Sequence, residues 1–313
     1  MAQPKKVVLD ETKKQASNEL MTAVKSSTSL RPDRFIIPDA DWETLVYATL
    51  KGKNVALIGS AGCGKTTAAQ TMAEAFRRPF FYFSLGAMQD ARSSLIGTVH
   101  FDKTEGTYVS ESLFIKAIQT EGAIILLDEL SRASDDALNI LMTVLDHQRY
   151  LRIDESPNSP IINVARGVTF IGTANVGMEY TSTRVLDKAF DDRFQLKIEM
   201  KTLDKDQTKT LLRKIHPNLH QKSIDILSSI YGLVREEYNE NTGKLSTDIS
   251  VRLLLTTAEM IEDGFPLMQA IEATIYPRFS DDGGVDSERT FIKQTAQKFI
   301  PDTTLTNDNM FEE

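Results

Sequence analysis

Residues 59–67 combine the side chains and the backbone freedom that hold a phosphate chain. The segment follows a short apolar run and reads Gly59, Ser60, Ala61, Gly62, Cys63, Gly64, Lys65, Thr66, Thr67, which fits the pattern G-x-x-x-x-G-K-[ST]. Glycines let backbone N–H groups close around phosphate oxygens, and a helix that begins at the loop adds partial positive charge. We expect Lys65 to reach the β- and γ-phosphates of a nucleoside triphosphate and the Thr66 hydroxyl to bind Mg²⁺.

An acidic pair ends another apolar run further along the chain. Asp128 and Glu129 follow the sequence AIILL at 123–127. Such a pair often only caps a helix, but its position after a buried strand and downstream of a phosphate loop favours catalysis. Asp128 would hold the water shell of Mg²⁺, and Glu129 would orient and deprotonate an attacking water. Because a kinase uses the hydroxyl of its acceptor, Glu129 indicates hydrolysis.

The elements that must position these residues follow from apolar periodicity. Five runs predict buried strands, at 54–59, 79–85, 123–128, 168–174 and 194–200, and helical patterns at 66–78, 110–121 and 135–148 separate most of them. Strands that alternate with helices indicate an α/β fold, here a five-stranded parallel sheet flanked by helices. Two segments, 98–110 and 149–167, alternate on both sides of a turn and predict inserted β-hairpins.

Four parts are expected along the chain. They are a polar N-terminal arm at 1–34, an α/β nucleotide-binding domain at 35–202, a helical lid domain at 203–300 and an acidic tail at 301–313. After Met200 the apolar spacing is helical only, which sets the start of the lid. At the start of the α/β domain we expect a short strand near 35–37, then a helix that an aspartate, Asp39 or Asp41, caps and that ends near Leu50.

Composition restricts the class of protein. The chain has 313 residues, 41% of them hydrophobic and 26% charged, as in soluble globular proteins. No apolar run approaches the roughly 20 residues of a membrane helix, and no signal-peptide core is present, so we expect no membrane insertion. The net charge of −8 argues against nucleic acid as the main partner. A single cysteine, Cys63, excludes an intrachain disulfide and fits a cytoplasmic location.

Taken together, these motifs resemble the AAA+ ATPases. The glycine loop, LLDELSRAS at 126–134, GTANVG at 172–177 and LDKAFDDRF at 186–194 are similar to the MoxR-type and dynein-related branch of that family. The two hairpins fall where this branch has its helix-2 and pre-sensor-1 insertions. The resemblance covers about residues 35–280 and extends to the gas-vesicle, rubisco-activation and cobaltochelatase small-subunit ATPases.

The resemblance assigns roles to three further residues. Asn175 would be sensor 1, hydrogen-bonded to the γ-phosphate or to the attacking water. Arg193 would be the arginine finger that reaches the γ-phosphate of a neighbouring subunit. Arg252, in STDISVRLLL, would be sensor 2 and act on the nucleotide of its own subunit. The structural alternatives are a turn residue for Asn175, an ion pair with Asp191 or Asp192 for Arg193, and an exposed helical position for Arg252.

Other positions are less specific. Arg184 is a second candidate for the finger, and Arg132 is expected at the subunit interface. Ser84 stands where many relatives carry an asparagine that restrains the catalytic glutamate, which leaves that coupling open. In the segment 35–38, Ile36, Ile37 and Pro38 are candidates for one wall of the adenine pocket, and an ordinary packed strand is the equal alternative.

The function that the resemblance implies is Mg-dependent hydrolysis of ATP. A finger supplied in trans implies a homo-oligomeric ring, most often a hexamer, and branch members act on a client or adaptor protein, often one with a von Willebrand factor A domain. Two alternatives stay open: a nucleic-acid-associated motor or restriction-type NTPase, and a nucleotide-gated scaffold with little turnover. The acidic charge balance counts against the first, and the intact Glu129 counts against the second.

Overall fold

The computed structural model describes residues 11–102, 106–154, 159–175, 187–240 and 244–300. The chain folds into two compact units. One contains the residues up to Gly59 together with Lys65–Met200, and the other contains Ser60–Gly64 together with the residues from Lys201 onward. In the described part of the chain, no helix has the length and apolar character needed to cross a membrane.

The first unit is built on a parallel sheet. Its strands are β1 (Val55–Gly59), β2 (Phe80–Ser84), β3 (Gly97–Asp102), β4 (Gly106–Glu111), β5 (Ile124–Asp128), β6 (Tyr150–Arg152), β7 (Ile161–Asn163), β8 (Thr169–Asn175) and β9 (Leu196–Glu199). Among the described residues, five strands form one sheet in the order β2-β5-β8-β1-β9, and every neighbouring pair is parallel. These are the five strands that the apolar runs predict, and the α/β fold class is confirmed.

Helices cover this sheet. The first unit contains α1 (Glu11–Ser26), α2 (Asp39–Lys51), α3 (Lys65–Ala75), α4 (Ala91–Leu95), α5 (Leu113–Gln119), α6 (Asp135–Leu145) and α7 (Lys188–Asp191). Two of these helices begin at serines whose hydroxyls accept a backbone N–H, Ser112 before α5 and Ser134 before α6. Such caps satisfy N–H groups that have no partner inside the helix. The interior strand β5 is apolar on both faces, as expected for a strand between two helical layers.

Two antiparallel hairpins leave this layer. β3 pairs with β4, and β6 pairs with β7, which confirms both predicted insertions. Residues 103–105 and 155–158, between the paired strands, lie outside the described residues.

The second unit is helical and has its own apolar core. It contains α8 (Lys205–Ile215), α9 (Gln221–Asn239), α10 (Val251–Glu262), α11 (Leu267–Thr274) and α12 (Glu288–Gln297). Asp204 and Gln207 form a capping box at the start of α8. Leu227, Ile230 and Ile271 are fully buried among other apolar side chains of this unit. A helical C-terminal region is therefore confirmed.

The N-terminal region differs from the sequence prediction in three ways. Within the segment predicted as a polar arm, residues 11–26 form α1, and Ser27 directly after it is buried, where it accepts a hydrogen bond from the indole of Trp42. Residues 35–37 form no strand; Phe35 packs its ring against Trp42 instead. The helix cap is also not an aspartate, because Pro38 holds the N-cap position and Asp39 begins α2.

Candidate active site

The strand order brings the ends of three strands together. Asp128 ends β5, Asn175 ends β8 and Gly59 ends β1, and these are consecutive strands of the sheet, with β8 between the other two. Gly59 lies opposite Asn175 in the parallel register. Ligands of open α/β sheets bind at this carboxyl edge, which is where the phosphate loop leaves the sheet.

The loop after β1 has the backbone of a phosphate-binding loop. Gly62 and Gly64 have φ angles of 75° and 94°, a region that L-residues with side chains rarely adopt. Lys65 begins α3, is 7% exposed, and donates from Nζ to the carbonyl oxygen of Gly59 at 3.0 Å. The lysine side chain therefore folds back over the loop, and its ammonium contacts the backbone at the start of the loop.

Three hydroxyl groups surround the carboxylate of Asp128. Thr173 donates to Oδ1, while Tyr82 donates to Oδ2 at 3.1 Å and Thr66 to the same oxygen at 3.5 Å. The predicted pair of Thr66 and Asp128 is thus adjacent in space. The sequence did not indicate Thr173 or Tyr82. Each lies two residues before the last residue of its strand, and alternate residues of a strand point to the same face.

Tyr82 is suited to donate this hydrogen bond. It belongs to the edge strand β2, and 47% of the residue is exposed. Partial burial and the negative charge of Asp128 raise the pKa of the Tyr82 phenol. The phenol therefore keeps its proton across the neutral pH range.

Glu129 holds a strained backbone directly after β5. Its φ and ψ are 60° and 46°, the left-handed region, which a non-glycine residue occupies at a cost of order 1–3 kcal/mol. Its N–H donates to the hydroxyl of Thr173 at 3.0 Å. The same hydroxyl therefore binds the backbone of Glu129 and the carboxylate of Asp128, and so holds the two residues in a fixed position relative to each other.

The Glu129 carboxylate has two neighbours. Arg132 Nη1 lies 3.4 Å from Oε1, and Oε2 lies against Gly86 so closely that a Cβ there would overlap it. Gly86 follows β2 and does not have a positive φ, so its role is to leave space rather than to permit an unusual backbone. Ser84, at the end of β2, lies opposite Asp128 in the register of β2 and β5.

This donor set fits Mg²⁺ and a triphosphate. Magnesium prefers oxygen ligands and is usually held by one or two carboxylates or hydroxyls together with phosphates and water. Thr66 and Asp128 supply a hydroxyl and a carboxylate next to a glycine loop with open backbone, so the residues present match the group.

Arg193 lies at the opposite end of the sheet from the phosphate loop. Its carbonyl accepts from Asn54 Nδ2 at 2.8 Å, and Asn54 directly precedes β1. The five residues of β1 separate this point from Gly59, about 17 Å at the usual rise of a strand. The guanidinium donates to the Ala189 carbonyl and lies 3.8 Å from Asp146, and 24% of the side chain is exposed.

In the second unit, Arg252 is exposed and is the second residue of α10. Ser250 caps this helix, and its Cβ would stand 2.9 Å from a Cβ added at Gly62, which is grouped with the same unit. The start of α10 is therefore next to Gly62. Arg184, the other predicted finger, lies outside the described residues, and Ile37 of the predicted adenine wall is buried.

Comparisons with known proteins agree with this geometry. Residues 54–194 match the AAA domain of the dynein-related subfamily, and residues 221–292 match the CbbQ/NirQ/NorQ C-terminal domain. The first match contains the phosphate loop and the acidic pair, and the second lies in the helical unit.

Relatives at the sequence level extend over most of the chain. BssE of Thauera aromatica, a candidate chaperone, is 31% identical over 223 residues, which are 71% of this chain and 74% of BssE. YojN of Bacillus subtilis strain 168, an uncharacterized protein, is 26% identical over 285 residues, which are 90% of this chain and 88% of YojN.

Solved structures show the same fold. The RuvB Holliday junction branch migration motor of Thermotoga maritima superposes with a TM-score of 0.52 at 14% identity, covering 78% of this chain and 72% of RuvB. A candidate ATPase of Cytophaga hutchinsonii gives a TM-score of 0.50 at 17% identity, covering 92% and 97%. With its domain matches and its similarity to BssE, this chain belongs to the MoxR-type AAA+ ATPases of the dynein-related subfamily.

Proposed function

We propose that this protein hydrolyses ATP with Mg²⁺ and uses the reaction to remodel or activate a partner protein. The observation that carries the proposal is the meeting of Lys65, Thr66, Asp128 and Glu129 at one edge of one sheet. Thr66 and Asp128 would hold Mg²⁺, which supplies positive charge that offsets the negative charge of the phosphate oxygens during transfer.

The residues divide the work of hydrolysis. Lys65 binds the β- and γ-phosphates, and Thr66 with Asp128 holds the metal side of the site. Glu129 accepts the proton of a water whose oxygen forms a bond to the γ-phosphorus, while the bond from that phosphorus to the β,γ-bridging oxygen breaks and ADP leaves. Asn175 orients the water or the γ-phosphate, and Arg252 reaches the phosphates from α10.

Assembly into a homo-oligomeric ring, most often of six subunits, belongs to the same proposal. Arg193 lies about 17 Å along β1 from its own phosphate loop by the usual strand rise, which is farther than an arginine side chain extends. A role for Arg193 in hydrolysis therefore requires the nucleotide of a neighbouring subunit. The partial exposure of its side chain supports this role.

Similarity to a candidate chaperone supports a protein as the substrate of the remodelling. We propose a client or adaptor protein, such as one with a von Willebrand factor A domain, and a cytoplasmic location. The proposed division into a nucleotide-binding domain at 35–202 and a lid at 203–300 matches this mechanism, because Arg252 would move with the lid.

The test is ATP turnover by the purified full chain and two variants, with and without Mg²⁺ and with and without DNA. Lys65→Ala should abolish nucleotide binding. Glu129→Gln should keep binding but slow turnover by roughly 10²–10⁴, the usual effect of removing a positioned base. Exposed residues of the same types, in Lys116→Ala and Glu121→Gln, serve as matched controls and should keep the parental rate. Hydrolysis at the parental rate by Glu129→Gln would exclude Glu129 as the base, and turnover that requires DNA would favour a nucleic-acid motor.

A further inference from the structure

The carboxylate that faces the metal side of the proposed site is held from the edge of the sheet by a tyrosine. Tyr82 donates to Asp128 Oδ2 at 3.1 Å, and Thr66 donates to the same oxygen at the longer distance of 3.5 Å. Tyr82 is therefore the closer donor to this oxygen. Its strand, β2, pairs with β5 so that Ser84 lies opposite Asp128, which places the Tyr82 ring diagonally across from the carboxylate.

The hydrogen bonds of Asp128 limit how its carboxylate can turn. Each carboxylate oxygen accepts about two hydrogen bonds. Oδ2 accepts from Tyr82 and Thr66, and Oδ1 accepts from Thr173 on the other side. Because the donors come from three separate elements, β2, α3 and β8, rotation of the carboxylate breaks at least one of these bonds.

We propose that Tyr82 is a positioning residue for the metal site, which holds Asp128 so that the Thr66 hydroxyl presents its lone pair to Mg²⁺. A threonine hydroxyl has one proton and two lone pairs. If its proton is directed to Asp128 Oδ2, a lone pair is directed away from that carboxylate, and the position of Oδ2 then decides where the lone pair points. The inference rests on the proposed function, since it concerns the same Mg²⁺ and nucleotide.

The expected effect of removing the Tyr82 hydroxyl follows from other proteins in which a residue that hydrogen-bonds to a metal ligand is replaced. Loss of such a partner usually costs 10–100-fold in metal affinity or activity. Tyr82→Phe removes the hydroxyl and keeps the aromatic ring. Tyr82 is 47% exposed, so this change disturbs little buried packing. We therefore expect the free Mg²⁺ concentration at half-maximal binding to rise by roughly 10-fold in this variant.

The experiment measures ATP binding by the rise in melting temperature of the full chain, titrated with Mg²⁺ at fixed ATP and repeated with ATP in excess EDTA. Tyr82→Phe should need more Mg²⁺ while its melting temperature with ATP and EDTA stays within error of the parent. Tyr47→Phe, which removes a hydroxyl from half-buried Tyr47 on α2, is the matched control and should titrate like the parent.

Three results would overturn the assignment. The first is an Mg²⁺ requirement of Tyr82→Phe equal to that of the parent. The second is a lower requirement, which would mean that Tyr82 competes with the metal shell. The third is an equal loss of ATP binding with and without Mg²⁺, which would mean that Tyr82 has a packing role. ATP turnover in the same samples separates this inference from the proposed function. A parent that binds ATP with Mg²⁺ but does not hydrolyse it would reject the ATPase and leave Tyr82 to be decided by its titration. A parent without Mg²⁺-dependent binding would reject both.

Discussion

The buried hydroxyl of Thr173 donates a hydrogen bond to Oδ1 of Asp128. It also accepts the N–H of Glu129 at 3.0 Å, so one side chain on β8 links the metal-side acid to the backbone of the proposed base. Because Thr173 is 1% exposed, water cannot replace either bond without rearrangement of the strand end.

Thr173→Val should slow ATP turnover by roughly 10-fold or more, the usual effect of losing an outer partner of a metal ligand, and destabilise the fold. Valine matches threonine in shape but leaves the Glu129 N–H without its acceptor, which costs about 1–3 kcal/mol for a buried group. Thr173→Ser keeps the hydroxyl and should retain most activity. Steady-state turnover and urea unfolding of both variants provide the measurement. Equal turnover by the valine and serine variants would show that the hydroxyl does not position the acids.

Gly86→Ala should lower turnover by roughly 10²-fold while ATP affinity stays near the parental value, because a displacement of about 1 Å at a catalytic group has an effect of that size. The new Cβ would overlap Glu129 Oε2 and lie 3.0 Å from Arg132 Cβ, so the carboxylate must move. Gly232→Ala, where the nearest neighbour of the added Cβ is the Lys205 side chain, is the control. Turnover and equilibrium ATP binding are compared, and a variant with parental turnover would mean that Glu129 does not act from this position.

Arg193→Ala should bind ATP and associate, but hydrolyse ATP very slowly, since an arginine finger contributes about 10³–10⁵ in rate. Mixing it with Lys65→Ala should restore part of the turnover, because one subunit supplies the finger and the other the intact loop. Turnover of mixtures with verified co-assembly is the measurement.

The intrachain contacts of Arg193 require a control for a purely structural role. Asp146→Asn removes the carboxylate charge 3.8 Å from the guanidinium but leaves Arg193 in place, so it should keep most activity. If Asp146→Asn is as slow as Arg193→Ala and no mixture recovers, then Arg193 is a structural ion-pair residue and the proposal of a finger in trans is wrong.

The helical unit should lose a specific part of its stability at acidic pH. His216 Nδ1 lies 2.6 Å from Glu262 Oε2, and this hydrogen bond lowers the pKa of Glu262 below its usual value. A depressed carboxyl pKa stabilises the fold above the unfolded pKa of about 4.3, and the stabilisation is lost as the pH falls through the folded pKa. Glu262→Gln should therefore be less stable than the parent at pH 7.

The difference in free energy of unfolding between the parent and Glu262→Gln should shrink below about pH 4. Urea unfolding at several pH values tests this, with exposed Glu259 on the same helix replaced in Glu259→Gln as the control. A difference that is independent of pH would show that the charge of Glu262 does not contribute.

The sequence pattern was sufficient to predict the structural features that depend only on residues near each other in the chain. The glycine spacing around Lys65 predicts a loop whose φ angles are in fact positive at Gly62 and Gly64, because only glycine enters that region without steric cost. The apolar runs predict five strands, since a strand buried on both faces must be apolar along its whole length.

Tertiary structure decided the arrangements that depend on which strands become neighbours. The strand order β2-β5-β8-β1-β9 cannot be read from the sequence, because the packing free energy of the whole sheet sets it. This order places Asn175 beside Gly59 and Asp128 one strand further along the same edge. It also brings Tyr82 and Thr173, distant from Asp128 in the chain, within hydrogen-bond reach. The segment 35–37 shows the same limit, because an apolar extended run becomes a strand only where a partner strand is available, and here Phe35 packs on Trp42 instead.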